Sequence, residues 1–269
     1  MRLLDISEVQ NMQLELMKKL HAFLVDNSIK YYLIAGSALG AARHGKFIPW
    51  DDDIDIGMFR CDYEKFLSIA GSFCPDYEII NYRNAKNCDF TLTRIYFKNT
   101  YIENPYIKDT CLDKRLYLDV FPLDNIPDSI DEQVKYEAQI KKKKRLIERI
   151  DARNYNNGKV ALLLKQLFSM LLRPFRQCIL KSLEILMRKY ENTDTEFVCS
   201  LCSQYSFAKQ AMRKDVYGTP VLREFADTTF YSPENLDLYL RTLYGDNYME
   251  IPPVEKRRKG HNIYLTSED

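Results

Sequence analysis

The sequence lacks most of the features that announce a partner directly. Its 39 Lys and Arg stand against 38 Asp and Glu, a net charge of +1, so no global field draws it to nucleic acid or to an anionic membrane. The seven cysteines are odd in number and follow no framework spacing, which argues against a disulfide-stapled scaffold. Cys199 and Cys202 form a lone C-x-x-C with no second Cys or His pair nearby. Two thiols on a helix are expected there, not a zinc or redox centre. The first residues, MRLLDISEVQNMQLELMKKL, are amphipathic and polar. They lack the charged tip and apolar core of a secretory signal, so a reducing cytoplasm is expected. No internal repeat or low-complexity tract is present. The most apolar stretch, VALLLKQLFSMLL at 160–172, is interrupted by Lys165 and followed by Pro174, too short to span a bilayer. It reads either as a buried helix or as a basic amphipathic helix on a membrane surface, reaching Tyr190.

What is present has the rhythm of a mixed α/β chain. Met12, Leu14, Leu16, Leu20, Phe23 and Leu24 suit an amphipathic helix over residues 8–28. Tyr31–Ala35 is a short apolar run closed by Gly36, the signal of a buried strand. Residues 37–44 are helix-compatible, Gly45 to Pro49 reads as a loop, and residues 53–58 alternate at period two as a second strand. A helix over 62–73 and strands at 77–82, 89–98 and 115–121 follow, with Pro122 ending the last strand or placing it at an edge. Beyond about residue 126 the chain turns helical. Asp128 or Ser129 caps a helix whose Lys141–Arg145 run reads as a solvated face, Asn154 to Gly158 is a break, and Ser232 to Tyr244 is helical again. The expected fold class is α/β (α+β): a mixed sheet with flanking helices over residues 1–125, then a mainly helical region over 126–269 whose tail at 230–261 returns to the site.

The chemistry concentrates in residues 36–58, GSALGAARHGKFIPWDDDIDIGM. Asp51, Asp52, Asp53 and Asp55 crowd four carboxylates into five positions beside Ile54, Ile56 and Met58. On a strand, Asp53 and Asp55 project from one face about 7 Å apart. Two such carboxylates can converge on a divalent cation whose charge offsets their repulsion, and hard oxygen donors select magnesium or manganese over zinc. Asp119, flanked by apolar residues in YLDVF, supplies a third carboxylate if its strand is a neighbour. A solvated turn would also carry aspartates. The preceding strand, Gly36-Ser37 and helix argue instead for a phosphate site: glycine admits close backbone approach, Ser37 offers a hydroxyl, and a helix N-terminus favours an anion.

The blocks LGAARHGKFIPWDDDIDIGM, LDVFPLD and YGDNYMEIPP resemble the LicD family, related to the fukutin proteins, within the DNA polymerase beta-like nucleotidyltransferase superfamily. The resemblance is dense around 34–60, recurs at 117–127 and 230–261, and is silent over 130–225. It implies a nucleotidyltransferase-like core and a phosphotransferase. The donor would be CDP-choline or a related CDP-alcohol such as CDP-ribitol, and the acceptor a sugar hydroxyl of a surface glycan, a teichoic-acid precursor or a lipid-linked sugar. By position, Asp53, Asp55 and Asp119 match the metal-binding acids for Mg2+ (or Mn2+), Asp51 is a further ligand or base, and Gly36 and Ser37 match the phosphate-binding turn.

Arg43, His44, Arg94, Lys256, Arg257, Arg258 and His261 are the cations available to balance a diphosphate, each with a solvated or salt-bridged alternative. Transfer of NMP from NTP by the same acids is the other enzymatic reading, and a non-catalytic scaffold the third. Trp50 and the many other aromatics suit either packing or a quaternary ammonium. A lipid-linked acceptor would bring the protein to the inner face of the membrane by peripheral contact. No nucleic-acid partner is expected.

Overall fold

A computed structural model describes residues 1–86, 88, 90–103, 114–150, 170–203, 205–257 and 260–266. The expected break at 154–158, most of the apolar stretch at 160–172, and Arg258 lie outside the described residues.

The chain opens with β1 (Arg2–Leu3) and α1 (Ile6–Asp26). Asp5 and Glu8 form a reciprocal capping box, each carboxylate accepting the other's backbone N–H. The 3.6-residue spacing then buries Val9, Leu16, Met17, Leu20 and Leu24 along one stripe. Next come β2 (Tyr32–Leu33), α2 (Ala35–His44), β3 (Asp55–Phe59) and α3 (Arg60–Ile69). They are followed by β4 (Tyr77–Ile80), β5 (Thr93–Phe97), β6 (Thr100–Glu103) and β7 (Tyr117–Ile126).

The central sheet runs β2-β3-β7-β5-β4. β3 and β7 are parallel, and the other pairs along this path are antiparallel, so the sheet is mixed and the expected fold class holds. Its apolar face is fully buried: Ile54, Ile56, Met58, Leu118 and Val120 alternate with the acids and pack into the core.

Pro122 does not end its strand; it falls where one side of the strand is locally an open edge. β7 continues through it, with Pro122 in register with Met58 of β3. Asp119 N–H faces β3, donating to Ile54 O, so by alternation Pro122 presents its missing donor to the opposite side. There β5 has left after Val120, and β8 (Phe197–Cys199) begins only at Asp124. Proline therefore occupies the one stretch of β7 where no ladder hydrogen bond is required.

α4 (Ile130–Ile150) and α5 (Arg176–Met187) pack antiparallel: Tyr136 Oη donates to the carbonyls of Leu186 and Met187, and Lys143 Nζ to Ser182 Oγ. They form a second, smaller core with Tyr82, Ile126, Cys199, Leu201 and Phe207. Asp128 does not cap α4; its Oδ1 instead accepts the backbone N–H groups of Glu196 and Phe197. The C-x-x-C also differs from expectation. Cys199 ends β8 and Cys202 follows in a turn, and burial pushes the Cys202 thiol up to about 11. Two thiols with raised pKa values, Cys199 buried and Cys202 half-buried, are poor nucleophiles and poor metal ligands.

A buried charge network joins the two cores. Arg60 of α3 meets Asp124 of β7 through two hydrogen bonds of 2.7 Å and contacts Glu64 and Glu184. Arg83 pairs with Glu64 and Glu184, Arg188 with Glu64 and Glu191, and Tyr82 Oη donates to Glu184. Four carboxylates thus share three guanidiniums. The excess negative charge favours one retained proton, and burial pushes Glu184 up to about 7.

The chain finishes with short helices α6 (Phe207–Gln210) and α7 (Lys214–Tyr217), β9 (Met212–Arg213) between them, the hairpin β10 (Val221–Phe225) and β11 (Thr228–Ser232), α8 (Leu236–Tyr244), and β12 (Asn262–Leu265). β12 inserts between β1 and β6, bringing the tail back to the first half of the chain.

Candidate active site

Three strands place three charged side chains in one row. Asp55 of β3 is in register with Asp119 of β7, and Asp119 with Arg94 of β5. Registered neighbours lie about 4.8 Å apart and project from the same face. Asp53 lies two residues before Asp55, just ahead of β3, and Tyr117 two before Asp119. The acidic charge of Asp53, Asp55 and Asp119 all reaches the Tyr117 hydroxyl, which with burial as the main cause is pushed up to about 12. The sequence alone could not bring Asp119 beside Asp55; the parallel β3–β7 pair does.

Arg94 is held as well as charged. Its Nε donates to Asp119 Oδ1 at 2.8 Å, and its guanidinium lies between the rings of Phe90 and Tyr117, 4.4 and 3.9 Å from their centroids. Burial pushes the Asp119 carboxyl upward while Arg94 opposes the shift.

The three consecutive aspartates diverge in role. One oxygen from each of Asp51, Asp52 and Asp53 lies within 4.8 Å of the others, a group able to hold a metal ion. Asp51 reaches the first turn of α2, where a Cβ on Gly36 would stand 2.7 Å from its Oδ2. Gly36 is needed for that approach, and an acid there complements the helix dipole. Ser37 Oγ accepts the Asp55 N–H at 2.8 Å, tying α2 to β3. Asp52 is buried, and its Oδ2 receives the His261 backbone N–H at 2.7 Å and faces His261 Nδ1 at 3.0 Å. It anchors the returning tail.

Beneath the acids, α1 supplies a clamp. Gln10 Nε2 donates to the carbonyls of Ile48 and Asp51, and one turn later the buried Gln13 Nε2 donates to those of Asp52 and Tyr117. Gln13 therefore joins the two acid-bearing segments through their backbones. Its only sequence signal is a polar residue on the buried stripe of an amphipathic helix.

The remaining cations are dispersed. Arg43 Nη1 donates to the carbonyls of Tyr248 and Glu250, and its Nε to His44 Nε2. Burial, then Arg43 and Lys46, lower the His44 pKa, so its imidazole is neutral at pH 7. Arg257 lies over the Trp50 ring at 4.4 Å and donates to Pro252 O, while Lys256 is exposed on a short turn. The tail thus meets the acid segment twice, through Arg257 on Trp50 and His261 on Asp52. Arg43 braces the loop that leads into the tail.

Asp52, Gln10, Gln13 and the Phe90–Tyr117 pair were not singled out by the sequence analysis. The only signal for Asp52 was its place in the acidic run Asp51-Asp52-Asp53.

Residues 28–161 match the family described as LicD/FKTN/FKRP, nucleotidyltransferase domain. The chain is 26% identical over 268 residues to the lipopolysaccharide cholinephosphotransferase LicD of Haemophilus influenzae, covering 97% of each protein. It is 41% identical over 83 residues to an uncharacterized protein of Rickettsia typhi, 30% of this chain and 26% of that one. It is also 58% identical over 44 residues to the human ribitol 5-phosphate transferase FKRP, 16% of this chain and 9% of the relative.

Proposed function

The chain carries a nucleotidyltransferase domain of the LicD/FKTN/FKRP family, and on that premise we propose that it transfers phosphocholine from CDP-choline to a sugar hydroxyl of a cell-surface glycan or teichoic-acid precursor, releasing CMP. The observation that carries this reading is the row Asp55–Asp119–Arg94, with Asp53 near enough for its charge to act on the Tyr117 hydroxyl beside that row. The choline and glycan parts are supported by the likeness to a lipopolysaccharide cholinephosphotransferase along nearly the whole chain.

The donors fit a hard divalent ion: Asp51, Asp52 and Asp53 each bring an oxygen within 4.8 Å of the others, Asp55 and Asp119 stand in register beside them, and Cys199 and Cys202 belong to the second core. Asp53, Asp55 and Asp119, with Asp51, would hold Mg2+ or Mn2+. Such an ion supplies charge neutralisation at the diphosphate oxygens. Asp52 is committed to His261 and the tail.

The chain's own residues do the rest. Arg94, wedged between two rings, fixes the Asp119 carboxylate and keeps a permanent positive charge beside it. Arg257 on Trp50 places a second cation beside the acid segment, suited to a donor diphosphate. As the acceptor oxygen bonds to the choline-bearing phosphorus and the P–O bond to CMP breaks, Asp119 or Asp51 takes the hydroxyl proton.

Incubation with CDP-choline, Mg2+ and candidate glycans is expected to release CMP only when an acceptor is present, and Asp53→Asn or Asp55→Asn to abolish release without unfolding. The likeness to a ribitol 5-phosphate transferase makes CDP-ribitol the second donor to assay. Absence of CMP with any CDP-alcohol would overturn the reading, and pyrophosphate release from NTP would replace it with NMP transfer.

A further inference from the structure

Charge is distributed unevenly in this nearly neutral chain. Residues 130–150 and 170–190, which hold α4 and α5, carry twelve Lys and Arg against five Asp and Glu, so +7 resides there in a chain of net +1. On α4 the exposed positions include Lys135, Lys141, Lys142, Arg145 and Arg149, and the buried ones Tyr136, Ile140 and Ile147. Asp131, Glu132 and Glu148 are exposed there too, so five exposed cations stand against three exposed acids and the outer face of α4 is positive by two.

The outer face of α5 is basic and apolar at once. Cys178, Lys181 and Ile185 recur along it at three- and four-residue steps and are exposed, while Leu180, Leu183 and Met187 face inward; Leu171 and Phe175 just before α5, and Lys189 just after it, are exposed as well. Leu171, Phe175 and Ile185 are 71%, 58% and 63% exposed, respectively. A purely solvated helix would put polar residues at these positions.

We propose that the outer face of the α4–α5 pair is a docking surface for an anionic phospholipid bilayer. Two properties of the surface favour this occupant. Lysines beside large apolar side chains match the negative surface and acyl boundary of a membrane interface, one supplying attraction and the other insertion. Nucleic acid would be met by cations and a stacking groove and would gain little from Leu171 or Ile185. Among the described residues no helix is long and apolar enough to cross a membrane, so the contact is peripheral.

The surface is joined to the proposed site by a short path. At the start of α5, Gln177 Nε2 donates to the carbonyls of Ala85 and Lys86. A few residues on, Phe90 stacks against Arg94. A bilayer on α5 would therefore lie near the segment leading to the catalytic row, a geometry suited to an acceptor carried on lipid. The docking surface itself uses none of the acids and stands whether or not the transferase reading does.

Sedimentation of the full chain with sonicated vesicles tests it. Vesicles of phosphatidylglycerol and phosphatidylcholine mixed equally are expected to retain the protein at low salt, with binding falling steeply as NaCl rises, and pure phosphatidylcholine to retain little. Lys181→Glu with Lys189→Glu is expected to lower partitioning by about tenfold or more, and Phe175→Ser with Ile185→Ser to do so with less salt dependence. CMP release on a soluble acceptor, assayed in parallel, should be unchanged by either pair, whereas Asp55→Asn should lose CMP release and keep vesicle binding. Equal retention by both vesicle types, or binding unchanged in both double variants, would overturn the proposal. So would silent apolar substitutions together with displacement of the vesicles by duplex DNA.

Discussion

Asp55 stands opposite Asp119 in the parallel register of β3 and β7, although α3 and three strands separate them in the chain. The convergence of two carboxylates on one face, with Arg94 in the next register position, is the feature from which the proposed chemistry follows.

Removing either acid should act on chemistry more than on folding. Asp55→Asn and Asp119→Asn are each expected to lower CMP release at least about a hundredfold, equivalent to about 2.7 kcal/mol of transition-state stabilisation. Mn2+ affinity measured by calorimetry should fall in parallel. Full activity in Asp55→Asn would remove the row from the mechanism.

Gly36 admits the Asp51 carboxylate. Gly36→Ala forces a methyl to within 2.7 Å of Asp51 Oδ2, and displacement of that carboxylate should cost about 1–3 kcal/mol. A lowered melting temperature in Gly36→Ala, partly recovered in Gly36→Ala with Asp51→Ala, is the expected pattern.

Gln13 satisfies two carbonyls beneath the acids. Gln13→Leu keeps the volume and removes the donor, leaving Asp52 O and Tyr117 O without it at a cost of about 1–3 kcal/mol. CMP release should fall more than stability does, because the clamp spans both acid-bearing segments. Paired kinetic and urea-unfolding measurements separate the two effects.

Asp124 and Arg60 are nearly inaccessible to solvent and bonded to each other twice. Asp124→Asn leaves a buried guanidinium short of charge, and urea unfolding should report a loss of about 3–5 kcal/mol. Arg60→Met with Asp124→Leu should recover part of it.

The same network makes stability depend on pH. Glu184 titrates near 7 when folded and near 4.5, the ordinary glutamate value, when unfolded, so the folded chain binds this proton more tightly. Its contribution is full below about pH 4.5 and is lost as pH rises through 7, a span of about 3 kcal/mol. Urea midpoints for Glu184→Gln should show a shallower fall between pH 5 and 7.5 than the parent.

Local pattern was enough for much of the architecture. The 3.6-residue spacing of α1, the alternation around Asp55 and the apolar flanks of Asp119 pointed to a helix and two strands in the right places, though α1 begins at Ile6 and not at residue 8, and β3 at Asp55 and not at Asp53. Those properties depend on neighbours within a turn or a pleat, and they are written in consecutive residues.

Convergence was decided elsewhere. The sequence could offer Asp119 as a partner for Asp55 only conditionally, because strand order and register arise from packing across the whole sheet. The same holds for Pro122, tolerated mid-strand because β5 departs before β8 arrives. It holds for Asp52, whose partner His261 returns just ahead of β12, and for Arg60, whose charge is balanced by Asp124. A side chain's direction follows from its own backbone, but what it meets depends on segments that only folding brings near.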